Sequence, residues 1–329
     1  MNIFTKISKP CNGVLQQKLL KQTEEKEVWY GTLKDRSVSI KINKFKNDKK
    51  YNIREFNNTK LAYELFYKDL SALSDNPLPK PICVDERKLV LSYIKGKSRE
   101  WPFSKSNKMG DSEYRAAAKY LAKLHSTEVK ETGLFCINKL KKDKYGGSSI
   151  SGKLKDDCNK LNCHKLSNYE EKLKKIAKYI QGALYENKWW HYKDLVYSHG
   201  DFKPDNFVFY YSRIKSTQST NCNNSKSKIN IGVIDWIDFG LRPRQYDVGS
   251  LLFGIQNPDK LSSLLNLYLK EANFEVADRV GFLKEAMALA CIVHINSPLK
   301  RQTQQSLAKA VAYIDYTQKI LEDLDKNGA

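Results

Sequence analysis

Residues 199–206 read His-Gly-Asp-Phe-Lys-Pro-Asp-Asn and run directly into the apolar stretch FVFYY, while a second apolar stretch, IGVI, ends at Asp235. Short apolar runs bounded by turn residues read as strands, here 207–211 and 230–234. Between them, SRIKSTQSTNCNNSKSKI is polar and of low complexity, so the two runs read as a hairpin with an elongated loop. If these strands pair, Asn206 and Asp235 arrive at adjacent strand ends, with Asp201 five residues ahead of Asn206. Few folds deliver two carboxylates and an amide to one edge of a hairpin in this order.

The rest of the chain divides by character. Residues 14–21, 28–33 and 37–42 read as three antiparallel strands separated by polar turns. Alternation in SVSIKI puts Val38, Ile40 and Ile42 on one face and Lys41 on the other, with Ser37 and Ser39. Residues 54–73 follow as a helix in which Leu61, Leu65, Leu70 and Leu73 recur at roughly helical spacing. DNPLPKP breaks the pattern, and 82–94 then read strand, turn, strand up to a crossing near Ser92–Gly96. Beyond it the chain becomes helical: 112–126, with Ala117, Tyr120, Leu121 and Leu124 as its buried stripe, then 166–189, 280–293 and 303–324. A polar excursion over 138–165 buries little. The expected architecture is α+β: an N-terminal lobe of antiparallel sheet and one helix over 1–95, and a larger, mainly helical lobe over 96–329.

Composition narrows the class. With 329 residues, 41% hydrophobic and 29% charged, the chain has the make-up of a soluble globular protein. It shows no apolar run approaching eighteen residues and no leader-like core in MNIFTKISKPCNG, so neither a membrane span nor a secretory signal is expected. Seven scattered cysteines, an odd number, fit free thiols in a reducing, cytoplasmic setting better than a disulfide framework. Cys158, Cys163 and His164 lie close together but lack the paired half-sites of a structural zinc centre. The formal charge is +20, and residues 1–60 carry 14 Lys and Arg against 6 Asp and Glu. Such a field favours ATP, phosphorylated compounds, nucleic acid or anionic surfaces. No nucleic-acid motif accompanies it, so a lysine-rich solvated surface is the plainer reading and no nucleic-acid partner is assigned.

Phosphoryl transfer needs a group that orients the attacking oxygen, oxygen ligands for a divalent metal, and cations on the phosphates. Magnesium takes hard oxygen ligands and keeps several waters, so one carboxylate and one amide suffice beside nucleotide oxygens. Asp201, Asn206 and Asp235 meet the first two needs. Together, HGDFKPDN and VIDW, with YDVG following, resemble the aminoglycoside phosphotransferase and choline kinase superfamily, which shares the protein-kinase-like fold. The resemblance spans roughly residues 14–325, although its motifs cover only the middle of the chain. It implies that Asp201 orients or deprotonates an acceptor hydroxyl, that Asn206 and Asp235 bind catalytic Mg2+, and that His199 supports the catalytic loop. It also implies that Asp247 is a scaffold acid and that His125 packs at a helix end.

On the nucleotide side, Lys41 resembles the family's strand lysine that contacts the ATP phosphates. Glu64 is similar to the helix glutamate that pairs with it, with Glu55 as the alternative. Ser92, Tyr93 and Ile94 lie at the crossing, where Tyr93 is placed to pack by adenine. The turn Gln22–Glu27 contains no glycine, so a glycine-rich phosphate loop is absent, and Thr23 with nearby backbone N–H groups takes its place. Asp238, in a literal DFG triplet, stands as a second-metal or structural residue. Trp189, Trp190, His191 and Tyr192 read as core aromatics, with a cation-binding surface as the alternative. Asp247, Asp259, Glu271, Glu275 and Asp278 are acidic residues of the region expected to form the acceptor pocket, yet 241–329 is nearly balanced at 11 basic against 10 acidic. The expected activity is ATP- and magnesium-dependent phosphorylation of a small-molecule hydroxyl. A catalytically weak nucleotide-binding scaffold and a basic nucleic-acid or anionic-surface binding protein are the readings it competes with.

Overall fold

In the computed structural model, residues 11–22, 26–43, 49–85, 87–100, 102, 108–129, 167–185, 195–213, 227–301 and 303–327 are described. Thr23, the excursion over 138–165, the Cys158–Cys163–His164 group and the aromatic run at 189–192 lie outside them. The chain divides into two compact units. One comprises Met1–Glu100, Asn107–Ala116 and His199–Phe239, the other Trp101–Ser106, Ala117–Ser198 and Gly240–Ala329. The segment carrying HGDFKPDN and VIDW thus belongs with the N-terminal sheet, although it follows it by about a hundred residues of chain.

The first unit is built on five antiparallel strands, β1 (Leu15–Gln22), β2 (Lys26–Leu33), β3 (Arg36–Asn43), β4 (Pro81–Val84) and β5 (Lys88–Ser92), in the order β1-β2-β3-β5-β4. Val38 and Ile40 are fully buried on one face, with Cys11, Cys83 and Val90. The opposite face carries Val84, Leu89 and Leu91 against Phe56 of helix α1 (Lys49–Leu70). Lys41 pairs with Leu89 across the sheet and therefore points to the helix side.

The buried stripe of α1 is Asn52, Glu55, Phe56, Thr59, Ala62, Phe66 and Leu70, and it shares only Leu70 with the leucine series read from the sequence. Leu61 and Leu65 are only half-buried, while Phe56 packs on the sheet and Phe66 sets its ring edge-on to Phe239. A second departure concerns the thiols. Cys11 and Cys83 form a disulfide with their Cα atoms 5.6 Å apart, contrary to the expectation of free cysteines, while Cys291 is a buried free thiol. Residues seventy-two positions apart in sequence meet here because both lie in the cluster on the buried face of the sheet with Val38, Ile40 and Val90.

Two ribbons complete the strands among the described residues: β6 (Leu195–Ser198) with β9 (Gly240–Pro243), and the expected hairpin of β7 (Phe207–Arg213) with β8 (Ser227–Val233). The hairpin is stitched to the crossing by reciprocal backbone bonds between Lys97 and Phe209, both 2.9 Å. This approach requires Gly96, since a Cβ there would fall 2.5 Å from the Phe209 carbonyl oxygen.

Helices dominate the second unit: α3 (Ser167–Tyr185), α4 (Arg244–Leu252), α5 (Pro258–Glu271), α6 (Arg279–Arg301) and α7 (Gln304–Asn327), with most of α2 (Asp111–His125). The expected stripe Ala117, Tyr120, Leu121 and Leu124 of α2 is fully buried. At the end of α2 a polar chain crosses the core. Arg244 donates to the Tyr268 hydroxyl at 3.3 Å, Tyr268 donates to His125 Nδ1 at 2.7 Å, and His125 Nε2 lies 3.4 Å from Asp247 Oδ2. The carboxylate can only accept, so the neutral imidazole carries its proton on Nε2. Asp247 is completely buried and serves this network, as the scaffold reading expects. No helix among the described residues is long and apolar enough to cross a membrane.

Burial pushes the His125 pKa below its ordinary value of 6.5, with the Asp247 carboxylate only partly opposing it. An unfolded chain takes up a proton at this histidine near pH 6.5, whereas the folded one resists until the pH is lower. Folding stability should therefore fall as pH drops below about 6.5 and level off once the folded pKa is passed. Chemical denaturation at pH 7.5 and 5.5 checks this: the decrease should be smaller in His125→Asn than in the parent protein.

Candidate active site

Every polar residue of the site lies within the first unit. Its centre is Asp235, two residues beyond the end of β8 and in the left-handed region at φ 68°. A non-glycine residue tolerates that conformation only when its surroundings demand it. Here the backbone on either side is pinned: Ile234 N–H donates to Asn206 O at 2.9 Å, and Trp236 donates its indole N–H to Val233 O at 2.9 Å. Ile234 O in turn accepts from His199 Nε2 at 3.0 Å.

That contact sets the role of His199. Its Nε2 donates to a carbonyl, and its Nδ1 accepts from the Asp201 N–H at 3.2 Å. The ring is fully buried, against Trp236 at 4.7 Å between centroids. With both nitrogens bonded to the backbone, His199 joins the loop bearing Asp201 to the strand end bearing Asp235. Gly200, at φ 85°, makes the sharp reversal between them.

Asp201 and Asn206 face each other across the same loop. Asn206 Nδ2 donates to the Asp201 backbone oxygen at 2.8 Å and to Asp201 Oδ2 at 2.9 Å. With its nitrogen so oriented, the amide oxygen, which is the atom a hard cation takes, is the end not turned to Asp201. Lys203 Nζ also lies 2.9 Å from Asp201 Oδ2. Both donors engage one carboxylate oxygen, leaving Oδ1 for an incoming group.

Lys41 completes the constellation. Its ammonium pairs with Glu55 of α1 and, at 3.3 Å, with Asp235 Oδ1. Lys26 reaches the other oxygen, Oδ2, at 3.4 Å. Burial alone would raise the Asp235 pKa, but the Lys41 and Lys26 ammoniums outweigh it and hold the carboxyl well below the usual range. Burial would likewise lower Lys41, and the Asp235 and Glu55 carboxylates reverse this, so the ammonium stays charged far into alkaline pH. Glu55 moves upward, through burial first and the neighbouring Asp235 charge second, with Lys41 opposing.

The helix partner of Lys41 is therefore Glu55, not Glu64. Nine residues separate the two, which at 3.6 residues per turn is about 180° around the helix. Glu55 lies on the buried stripe, and Glu64 on the solvent side, where its side chain is 59% exposed and sits 3.8 Å from Lys60. Asp238 does not join the lysines either. It pairs with Arg54 at 3.2 Å, while Asn58 donates to Ile237 O at 2.8 Å, so this turn is tied to α1.

At the crossing, Ser92 exchanges bonds with Lys80 through its N–H and hydroxyl, both 2.8 Å. Tyr93 donates its N–H to Ser37 O at 3.2 Å and sets its ring edge-on to Tyr30, and Ile94 is buried against Gly232.

The family model described as phosphotransferase enzyme family matches residues 49–282. The chain belongs to that family. Among solved structures, this phosphotransferase resembles the gentamicin complex of APH(2")-IIa, with 17% identity, 97% of this chain and 95% of that chain covered, and a TM-score of 0.58. It also resembles ADP-bound APH(2'')-Ib, with 17% identity, coverage of 97% and 96%, and a TM-score of 0.54. A putative aminoglycoside phosphotransferase from Ralstonia eutropha JMP134 is similar over 98% and 94% of the two chains, with 12% identity and a TM-score of 0.56. A comparison with curated proteins gave no match. The phosphotransferase thus has the kinase-like fold expected from HGDFKPDN and VIDW, with an antiparallel N-terminal sheet and a mainly helical C-terminal part.

Two site residues of the phosphotransferase, Lys26 and Lys203, escaped the sequence reading. Lys203 was visible two residues after Asp201. Lys26 shares a face with Lys41, because Val28 pairs with Lys41 and side chains two apart on a strand point the same way. Finding it required the register of β2 on β3, which the turn sequence alone leaves open.

Glu55→Ala should leave Lys41 short of its closest partner in a buried setting and cost about 3 kcal/mol, whereas Glu64→Ala should stay within about 0.5 kcal/mol. Urea unfolding of the two variants measures the contrast, and equal losses would contradict the assignment.

Proposed function

We propose that this phosphotransferase transfers the γ-phosphoryl group of ATP to a hydroxyl of a small molecule, with magnesium as the metal. The observation that carries this reading is the convergence of Asp201, Asn206, Asp235 and Lys41 on one edge of the β7–β8 hairpin. Among the described residues no group of three or more His, Cys, Asp or Glu side chains could hold a metal alone. One carboxylate and one amide oxygen is nevertheless the donor set expected where nucleotide oxygens and water complete a magnesium shell. Asp235, a charged carboxylate that already pairs with two ammoniums, is suited to a cation, and the Asn206 amide oxygen would be the second ligand. Bound there, the metal would neutralise charge on the phosphate oxygens.

The remaining chemistry falls to the chain itself. Lys41, held by Glu55, directs a fixed positive charge at the phosphates. Asp201 has Oδ2 held by Asn206 and Lys203, so Oδ1 accepts the hydrogen bond, and then the proton, of the acceptor hydroxyl. The acceptor oxygen forms its bond to the γ-phosphorus as the bond to the bridging oxygen breaks and ADP leaves. His199 keeps Asp201 and Asp235 in register and takes no proton in this scheme.

For the acceptor, three of the acidic residues in the second unit are already engaged: Asp247 with His125, Glu271 with Lys119 at 3.2 Å, and Asp278 with the Gly281 N–H at 2.7 Å. A small hydroxyl compound is accordingly the acceptor class, with aminoglycosides, choline, ethanolamine, thiamine and sugars as the panel.

Incubation of that panel with γ-labelled ATP and magnesium should label one compound. Asp201→Asn should reduce the transfer by roughly 10²–10⁴-fold while nucleotide binding persists. Binding of ATP with no transfer to any acceptor would support the scaffold reading instead.

A further inference from the structure

Lys26 stands apart from the residues the reaction scheme uses. It opens β2, directly after the turn that lacks glycine, and its ammonium lies 3.4 Å from Asp235 Oδ2. Lys41 takes the other oxygen of the same carboxylate at 3.3 Å. The two lysines differ in constraint. Lys41 is 8% exposed and clamped between Glu55 and Asp235, whereas the Lys26 side chain is 34% exposed. Its stem has four rotatable carbons, and its strand position places it on the Lys41 face of the sheet.

A kinase-like site ordinarily holds the phosphates from this side with backbone N–H groups of a glycine-rich turn. Close backbone approach of that kind needs residues without a Cβ, and QTEEKE supplies none. Among the described residues, Lys26 brings an ammonium to this edge of the site. Asp235 is held at its strand end by the bonds of Ile234 and Trp236, so it cannot follow a departing partner. A cation that takes up Oδ2 displaces Lys26 from it, and a polyphosphate brings negative charge within reach of the same ammonium.

We infer that Lys26 is a phosphate-binding residue of the nucleotide site, contributing with one movable ammonium what a glycine-rich turn contributes with backbone N–H groups. The inference rests on the reading of this site as a nucleotide site. The same ammonium, 3.4 Å from Asp235 Oδ2, offsets the charge of that carboxylate.

Isothermal titration of ATP and of adenosine, each with magnesium, into the full-length wild-type, Lys26→Met and Lys26→Arg proteins tests it. Without the charge-assisted hydrogen bond from this ammonium to the phosphates, Lys26→Met should bind ATP roughly 10- to 100-fold more weakly. Adenosine, which lacks phosphates, should bind all three proteins alike, and Lys26→Arg should retain most of the ATP affinity. Equal ATP affinity in wild type and Lys26→Met would overturn the inference. So would tighter ATP binding in Lys26→Met, which would make Lys26 a competitor of the divalent ion, or a parallel loss of adenosine binding, which would make its role structural. Wild-type protein that binds neither ligand would sink the nucleotide reading itself and this inference with it, an outcome distinct from the other three.

Discussion

The site depends on one buried cluster of opposite charges, Lys41 between Glu55 and Asp235. Removing three charged groups from water is costly, and the cost is recovered only when each finds a partner at close range. At an effective dielectric near 20, unit charges 4 Å apart interact by about 4 kcal/mol, enough for the attraction to outweigh the burial that opposes it. The pKa directions show which effect wins at each group: Asp235 is held low and Lys41 high, while Glu55, the more buried of the two carboxylates, is pushed upward. The cluster also joins parts of the chain that are remote in sequence. Lys41 comes from the sheet, Glu55 from the helix packed on it, and Asp235 from the end of a hairpin nearly two hundred residues later.

Around that cluster, backbone hydrogen bonds supply the precision. His199 holds a carbonyl next to Asp235 and an N–H of Asp201 with its two ring nitrogens. Asn206 takes part through its carbonyl oxygen to Ile234 and its side-chain nitrogen to Asp201. Three short motifs, HGD, PDN and IDW, are therefore a single hydrogen-bonded object. This is the physical reason their joint occurrence carries more information than any one of them: each supplies a partner the others leave unsatisfied.

How far the sequence could be read depended on whether a residue's setting was local. The alternation in SVSIKI placed Lys41 on the face opposite Val38 and Ile40, and the hairpin placed Asn206 beside Asp235, because strand period and pairing are local properties. The choice between Glu55 and Glu64 was different. Both lie on one helix, and only the packing of Phe56 against the sheet decides which side faces Lys41. Leucines at Leu61 and Leu65 pointed to a neighbouring stripe and so to the wrong glutamate. The disulfide of Cys11 with Cys83 was likewise out of reach, since its partners meet only through strand order.

By itself, then, the sequence determined the α+β class and the order of the motifs, and singled out Asp201, Asn206, Asp235 and Lys41 as candidates. Those follow from hydrophobic period, turn chemistry and the short distances between residues within each motif. Tertiary structure alone decided that Glu55 holds Lys41, that Asp238 turns to Arg54, and that Lys26 and Lys203 reach the site carboxylates. The reason is geometric. A side chain's partner across a helix–sheet contact depends on the rotation of the helix about its axis and on strand register, and long-range packing sets both.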